Sequence, residues 1–371
     1  MQNLKKMLVV GNSVRSIACS AKRAGYRVFA IDRFGDVDMR RCADRAFCIG
    51  NEKENKLYEF AASIGDLDGV VLGPGFENLK FKNTFNNTSE VIERINDKSK
   101  LPEMLGKMGI PHPRTEKFEN ASLLGFPMML KPVSGSGGMR NIVVRDEEEL
   151  ENFRERSDSN QFIAQEFVEG IPCSASIIST GDEACVVALN EQLIGVNWLT
   201  GLPFAYCGNI TPFYTRSSDE MIRIAREIAL EFKLVGSNGV DFILNENGIT
   251  VLEVNPRFQG SLDTVELSTG INIFDAHIKS FYGELPKLKE NICFATKAIV
   301  YADKVIEINT VIQDVLNGYM KLGQAADIPR PDSIINRDEP VVTIIGTGKT
   351  RSKVLKKVEK SARFIKSLTE V

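Results

Sequence analysis

Two short apolar stretches that each carry a carboxylate constrain this chain more than any other feature of its sequence. They are residues 240–243, Val-Asp-Phe-Ile, and residues 251–254, Val-Leu-Glu-Val. Residues 245–248 between them, Asn-Glu-Asn-Gly, favour a turn, so the two stretches are predicted to pair as an antiparallel hairpin. A carboxylate in a buried strand is costly unless a cation or a hydrogen-bonding partner compensates its charge. The hairpin therefore predicts a polar site on an otherwise apolar element.

The acids of this hairpin are suited to a divalent cation. Strand pairing brings Asp241 close to Glu253, and Asn255 lies two residues further on, on the same face of the strand as Glu253. A few hard oxygen ligands beside Arg257 are typical of Mg²⁺ (or Mn²⁺) that arrives with a polyphosphate. A structural ion pair between Glu253 and Arg257 explains the same residues, and the hairpin alone does not decide between the two.

The composition is that of an ordinary globular protein with more than one domain. A chain of 371 residues, 43% apolar and 26% charged, favours two or three packed domains. The formal net charge is −3 with acids and bases intermixed, which predicts neither a nucleic-acid partner nor a membrane partner. We see no stretch of membrane-spanning length and no signal-peptide core, so we expect a cytoplasmic protein.

The cysteines and histidines narrow the chemistry. The seven cysteines are scattered without a C-x-x-C pair, and we expect them to be reduced, forming neither disulfides nor a zinc site. The two histidines are His112 and His277. A histidine-based triad or a histidine-ligated metal is therefore not expected.

The N-terminal part of the chain follows a β-α-β pattern. A strand at residues 7–11 is followed by an Ala-rich helix that stops at Gly25 and by a second strand at residues 27–31. This order predicts a parallel sheet covered by helices. The turn at residues 11–15 lacks the second glycine of a dinucleotide motif, which disfavours NAD or FAD.

Two loops at the carboxyl ends of these strands are candidate substrate loops. The first loop is the turn at residues 11–15. The second loop, residues 73–78 (Gly-Pro-Gly-Phe-Glu-Asn), follows an apolar strand. Open α/β sheets bind ligands at this edge, so Arg15 and Glu77 are predicted to face one small molecule. A surface salt bridge beside the turn explains the two residues equally well.

A lysine inside an apolar strand predicts a phosphate site. Residues 126–132 form this strand and carry Lys131, and residues 134–138, Ser-Gly-Ser-Gly-Gly, follow as a flexible loop. The lysine supplies a point charge and the loop supplies free N–H groups, which together can cradle a phosphate. The strand at residues 161–168 offers main-chain groups and the side chain of Val168 to a purine. A plain hairpin loop beside an exposed lysine is the alternative.

The order of these signals resembles the ATP-grasp superfamily over residues 1–285. The resemblance depends on Asp97-Lys98, the lysine strand with its loop, Gln-Glu-Phe-Val at 165–168, Asp241, and Glu-Val-Asn-Pro-Arg at 253–257. Residues 32–36, Asp-Arg-Phe-Gly-Asp, and 256–261, Pro-Arg-Phe-Gln-Gly-Ser, are similar to predicted ATP-dependent carboligases related to biotin carboxylase.

The fold that this resemblance implies combines α/β and α+β parts. A parallel α/β domain is expected at residues 1–96, and the ATP-grasp domain at 97–285 is expected to clamp ATP between two α+β subdomains. The smaller of these, the lid, would cover about residues 115–168. A small β-rich subdomain is expected at residues 286–371.

The resemblance also implies a role for each candidate residue. ATP phosphates would be held by Lys98 and Lys131 and covered by Ser134, Gly135, Ser136, Gly137 and Gly138. The adenosine segment would be Gln165, Glu166, Phe167, Val168 and Glu169; Glu166 and Val168 would meet adenine through main-chain groups. Glu169 would take the ribose, because Pro172 stands where relatives often have a glutamate. Magnesium would be bound by Asp241, Glu253 and Asn255, the transferred phosphoryl group by Arg257 with Lys131, and the substrate by Ser13, Arg15, Glu77, Asn78, Gln259 and Ser261.

The implied reaction is ATP-dependent ligation. A small-molecule carboxylate would be activated as an acyl phosphate and attacked by an amine, with ATP and Mg²⁺ (or Mn²⁺) as cofactors. A bicarbonate-using carboxylase of the biotin-carboxylase type and a non-catalytic nucleotide-binding module are the alternatives. A homodimer is compatible with all three.

Overall fold

A parallel four-stranded sheet forms the N-terminal layer of the fold. The structure is a computed structural model that describes residues 5–50, 54–133, 137–156 and 161–370. The elements of this layer are β1 (Lys6–Val10), α1 (Arg15–Arg23), β2 (Arg27–Asp32), α2 (Val37–Cys42), β3 (Arg45–Cys48), α3 (Glu54–Ala62), β4 (Gly69–Leu72) and α4 (Ser89–Asn96). The strand order is β3-β2-β1-β4 with parallel pairing throughout. The β-α-β prediction is therefore confirmed.

A small antiparallel sheet follows. Its elements are α5 (Leu101–Lys107), β5 (Thr115–Lys117), a 3-10 helix (Phe118–Leu123), β6 (Met128–Pro132), β7 (Ile142–Val144), α6 (Glu147–Arg156) and β8 (Phe162–Glu166). The strand order is β5-β8-β6-β7. The two strands predicted around Lys131 and Gln165 are β6 and β8, which lie side by side, so these two residues come from neighbouring strands.

An eight-stranded sheet forms the body of the molecule. Its first part consists of β9 (Ile171–Thr180), β10 (Ala184–Ile194), β11 (Tyr206–Thr211), α7 (Ser218–Glu231), β12 (Val235–Asn245), β13 (Gly248–Asn255), α8 (Leu262–Thr269) and α9 (Ile273–Ser280). The apolar residues of α7 recur at helical spacing and pack on β9 and β10, with Met221, Ile224 and Ile228 fully buried. Gly270 separates α8 from α9 in a left-handed conformation.

The C-terminal strands extend the same sheet rather than forming a separate one. The remaining elements are β14 (Phe294–Tyr301), β15 (Ile306–Glu307), α10 (Thr310–Lys321), β16 (Ala325–Ala326), β17 (Ile334–Ile335), β18 (Pro340–Gly348) and α11 (Arg351–Glu370). The full order is β13-β12-β9-β10-β11-β14-β18-β16, and β15 pairs with β17 alone. Side chains from both parts share one core, for example Cys207, Ala298 and Val358. The domain boundaries at residues 96 and 285 remain predictions.

Two cysteines disagree with the sequence expectation. Cys19 on α1 and Cys42 on α2 form a disulfide bond, so the expectation that all cysteines are reduced is wrong. The bond depends on how α1 and α2 pack side by side, which the spacing of the cysteines does not reveal. In the described parts of the chain, no helix is long and apolar enough to cross a membrane.

Candidate active site

The predicted acidic hairpin is confirmed and consists of β12 and β13. The strands pair antiparallel, with Asp241 opposite Glu253 and Gly239 opposite Asn255. A register shift between Asp241 and Phe242 marks a bulge directly beside the acid pair. Bulges re-aim the side chains next to them, so this one contributes to how the two carboxylates face the site.

Asp241 accepts one hydrogen bond on each carboxylate oxygen. Gln192 Nε2 donates to Oδ1 at 2.8 Å, and Asn255 Nδ2 donates to Oδ2 at 2.8 Å. Burial raises the pKa of Asp241 to about 7, and the charge of Glu253 acts in the same direction. The two amide donors and the charge of Arg257 oppose this shift. The carboxylate is therefore oriented but only incompletely compensated in charge.

A divalent cation fits this arrangement. In the described part of the chain, no lysine, arginine or histidine lies within salt-bridge distance of Asp241 or Glu253. Nor do three or more acids, histidines or cysteines cluster there as a metal site. A cation at the hairpin would thus take its protein ligands from Asp241, Glu253 and the side-chain oxygen of Asn255, and the rest from water or a ligand, which suits Mg²⁺.

Arg257 forms an ion pair with a different acid from the one considered in the sequence. Its Nε lies 2.8 Å from Oε1 of Glu77, with both side chains mostly buried, and its Nη1 donates to the carbonyl of Phe258 at 3.3 Å. Glu77 also accepts the N–H of Gly75 at 2.8 Å. The salt bridge therefore joins the candidate substrate loop, residues 73–78, to the end of the acidic hairpin. The alternative ion pair between Glu253 and Arg257 is not formed.

The two predicted phosphate lysines lie near the acid pair. Lys131 Nζ donates to Oε1 of Gln165 at 2.5 Å, and Lys98 Nζ donates to the carbonyl of Pro132 at 2.8 Å. Burial lowers the pKa of Lys131 to about 8, and burial also lowers the pKa of Lys98. The charge of Glu253 opposes both shifts, so each lysine interacts electrostatically with the acidic hairpin.

Gln165 has a specific role in this geometry. Its Nε2 donates to Oγ1 of Thr115 at 2.9 Å, which fixes the amide so that its oxygen faces Lys131. Gln165 is buried on β8, between the strands that carry Thr115 and Lys131. Gln165 thus orients Lys131, and its expected contact with the nucleotide remains a prediction.

The glycine-rich loop is described only at its end. Ser134, Gly135 and Ser136 lie outside the described residues. The carbonyl of Gly137 accepts the N–H of Tyr206 at 3.0 Å. The loop end is therefore in contact with the large sheet.

The segment expected to contact adenosine, residues 165–169, joins the two sheets. The N–H of Glu166 donates to Arg114 O at 2.8 Å, and the N–H of Phe167 donates to Pro127 O at 3.4 Å. The carbonyl of Glu169 accepts from Nδ2 of Asn245 at 2.9 Å, which ties the segment to the turn of the acidic hairpin. Val168 lies in the connection between β8, which ends at Glu166, and β9, which begins at Ile171.

Arg15, a predicted substrate residue, is bound by three acids. Its guanidinium donates to both oxygens of Asp263 and to both oxygens of Asp327, and Asp38 lies 3.6 Å away. Ser13 and Asn78 are exposed at the loop surface. Arg15 thus lies in a buried ion network between three parts of the chain.

Gln259 and Ser261 meet on the face of the large sheet. Ser176 Oγ donates to Oε1 of Gln259 at 3.1 Å and lies 3.0 Å from Oγ of Ser261. Gly239 lies directly under the Gln259 amide, where a Cβ would come within 1.7 Å of Cδ. Ser261 precedes α8, and its hydroxyl bonds to Ser176 and does not cap the helix.

Sequence reasoning missed several polar residues on this face. Gln192 holds Asp241, and a buried network continues along the sheet through Asn190, Thr211, Asn209 and Thr264. The only sequence signal was Asn190-x-Gln192, two amides on one face of a buried strand. The residues that complete the site therefore come from strands that the motif does not contain.

A family comparison agrees with this geometry. Residues 95–261 match the model of the ATP-grasp domain. The matched range contains both lysines, Gln165 and the whole acidic hairpin. Residues 95–261 therefore form an ATP-grasp domain, and the resemblance and fold class expected from the sequence are confirmed.

Individual relatives are similar over nearly the whole chain. An uncharacterized protein of Methanocaldococcus jannaschii is 27% identical over 97% of this chain and 93% of its own. The 3-methyl-D-ornithine–L-lysine ligase of Methanosarcina barkeri is 24% identical over 94% of both chains. The biotin carboxylase domain of Hydrogenobacter thermophilus 2-oxoglutarate carboxylase, solved with MgADP and bicarbonate, has a TM-score of 0.75 at 17% identity, covering 98% of this chain and 90% of that one. This last similarity shows a shared fold.

Proposed function

We propose that the protein is an ATP-dependent ligase that joins a small-molecule carboxylate to an amine and releases ADP and phosphate. The observation that carries the proposal is that Lys98 and Lys131 both lie near enough to the acidic hairpin to interact electrostatically with Glu253, while each is held by a hydrogen bond to another group. Nucleotide phosphates would lie between the lysines and a Mg²⁺ (or Mn²⁺) ion on the acids. The similarity to a lysine ligase over nearly the full length of both chains supports this class of reaction.

The chain's own residues would lower the electrostatic barrier of the first step. A carboxylate oxygen attacks the γ-phosphorus and ADP leaves, so two anions must approach each other. Lys131, oriented by Gln165, would hold the phosphates with its positive charge, and Arg257 would contact the transferring group. Magnesium, when bound, supplies further charge neutralisation.

Glu77 would determine how Arg257 acts. Glu77 holds Nε and the carbonyl of Phe258 holds Nη1, and among the described residues none bonds to Nη2, which would therefore be available to an anionic ligand. The acyl phosphate would then be attacked by the amine, and inorganic phosphate would leave. Arg257 thus remains beside the reacting phosphoryl group in both steps of the proposal.

An ADP-release screen over carboxylates and amines tests the proposal. We expect release that requires both substrates, and a loss of roughly 10²–10³ in rate for Lys131→Ala, because phosphate contacts in a closed site are lost. Lys100→Ala is the matched control, since Lys100 is exposed and pairs with Asp97. Near-normal turnover of Lys131→Ala, or no response to any carboxylate, would contradict the proposal.

The alternatives are separated by two arms of the same assay. ATP turnover that requires bicarbonate would favour a carboxylase, a candidate kept because the shared fold includes a bicarbonate-bound domain. A non-catalytic role would be favoured if Glu253→Gln left the cellular function intact. A cytoplasmic location and a homodimer remain predictions, to be checked by fractionation and by light scattering.

A further inference from the structure

The end of the glycine-rich loop lies against a segment of the large sheet that carries no predicted role. This segment, residues 204–206 (Phe-Ala-Tyr), precedes and begins β11 and is called the platform below. Its Tyr206 N–H donates to Gly137 O at 3.0 Å. A Cβ on Gly138 would lie 2.1 Å from the carbonyl oxygen of Phe204, so only glycine permits this approach.

The platform belongs firmly to the large sheet. The N–H of Gly195 donates to the Ala205 carbonyl at 2.9 Å, and Tyr301 Oη donates to the Tyr206 carbonyl at 2.8 Å. Gly137 and Gly138, in contrast, follow β6 of the small sheet. The contact therefore bridges the two subdomains that are proposed to enclose ATP.

The same segment also touches the other two parts of the proposed site. The centroid of the Phe204 ring lies 6.3 Å from that of the Phe167 ring in the adenosine segment, in an edge-to-face arrangement. On the other side, the Tyr206 ring lies 3.0 Å from where a Cβ on Gly260 would stand, in the loop that carries Gln259. The platform is thus in contact with the proposed adenine, phosphate and substrate elements at once.

We propose that the platform, residues 204–206, positions Gly137 and Gly138 over the nucleotide phosphates. The proposal rests on the proposed function, since it assumes that the nucleotide lies between the two sheets. The peptide groups of the glycine pair are fixed by the platform, so they meet the phosphates in one geometry. They also shield an acyl phosphate from water, which would otherwise hydrolyse it before the amine attacks.

Two alanine variants test this with matched backbone strain. Gly137 and Gly138 have φ of +75° and +70°, so Gly137→Ala and Gly138→Ala carry similar conformational penalties. A Cβ on Gly137 meets only Met139 Cγ at 4.0 Å, whereas a Cβ on Gly138 collides with the platform. The difference between the variants therefore isolates the contact with Phe204.

We expect Gly138→Ala to weaken MgADP binding, measured by calorimetry, at least tenfold more than Gly137→Ala. The ratio of ADP released to product formed should rise in Gly138→Ala alone, because water reaches the acyl phosphate. Equal affinity and equal coupling in the two variants would overturn the proposal. Equal unfolding midpoints show that both variants fold, and Phe204→Ala, which keeps the main chain, should weaken MgADP binding to a smaller extent.

The readouts separate this proposal from the ligase proposal. If no acid and amine elicit ADP release from the wild type, the ligase proposal fails, and the two MgADP affinities still decide the role of the platform. If the wild type does not bind MgADP, both proposals are wrong. If both alanine variants bind MgADP as the wild type does, the platform proposal alone is wrong.

Discussion

Replacing Arg15 by methionine is expected to destabilise the protein rather than to alter substrate binding alone. The guanidinium contacts Asp263 at 2.5 and 2.8 Å and Asp327 at 2.8 and 3.1 Å, and the side chain is only 5% exposed. Removing one partner of a buried ion pair costs about 3–5 kcal/mol, because the remaining charge stays buried. Lys297 stays 3.3 Å from Asp263, so we expect the lower end, about 3 kcal/mol.

The loss in this variant should depend on pH. Burial raises the pKa of Asp263 and of Asp327, but the charges of Arg15 and Lys297 together with the hydrogen bonds from Arg15 outweigh it, and the net pKa of each is lowered. A carboxyl group with a lowered folded pKa contributes stability above its unfolded pKa of about 3.9, and that stability is lost as pH falls through the folded value. Without Arg15 the two acids take up protons more readily. The deficit should therefore be complete at neutral pH and smaller near about pH 4.5.

Urea unfolding at the two pH values measures the effect. Arg363→Met is the control, because Arg363 pairs with Glu359 on the exposed face of α11 and should change stability by no more than about 0.5 kcal/mol. Arg15→Lys should fall between the wild type and Arg15→Met, since a lysine cannot bond both acids in the same way. A wild-type unfolding midpoint for Arg15→Met together with a raised KM for the carboxylate would refute the reasoning and make Arg15 a substrate residue.

Two further predictions concern the disulfide and the hydrogen bond between Gln165 and Lys131. Cys42→Ser removes the bond to Cys19, which spans 23 positions, and should lower the unfolding free energy by about 3 kcal/mol. Dithiothreitol should shift the urea midpoint of the wild type but not that of the variant. An unchanged wild-type midpoint would argue against the bond. Gln165→Leu removes the acceptor of Lys131, whose pKa burial already lowers to about 8. As the pH is raised, this variant should therefore lose MgADP affinity at a lower pH than the wild type does. Superimposable pH profiles would contradict this role of Gln165.

The elements predicted from the sequence are those whose signals are local. The hairpin of β12 and β13 follows from two apolar runs and the turn between them, and it brings Asp241 close to Glu253 as predicted. The parallel sheet follows from the β-α-β order, and Lys131 stands out because a lysine interrupts an apolar strand. Each of these patterns lies within a short stretch of chain, so its physical meaning does not depend on the rest of the fold.

The partners of these residues could not be predicted because they lie far away in the sequence. Gln192 is 49 positions from Asp241, and Arg15 is 312 positions from Asp327. Nothing near Arg15 in the sequence distinguishes a ligand-binding arginine from one that joins three parts of the chain. The disulfide between Cys19 and Cys42 was missed for the same reason, since it depends on the packing of two helices.

The charge arrangement of the site adds an argument that the individual motifs do not contain. Lys98 and Lys131 interact electrostatically with Glu253, yet among the described residues neither lysine lies within salt-bridge distance of an acid. Burial disfavours the charged form of both lysines and of Asp241. Direct ion pairs between the lysines and the acids would relieve that cost, but the lysines bond to Pro132 and Gln165 instead. A ligand with a cation for the acids and anionic oxygens for the lysines would compensate all of these groups together, which is the charge pattern of a magnesium–polyphosphate complex.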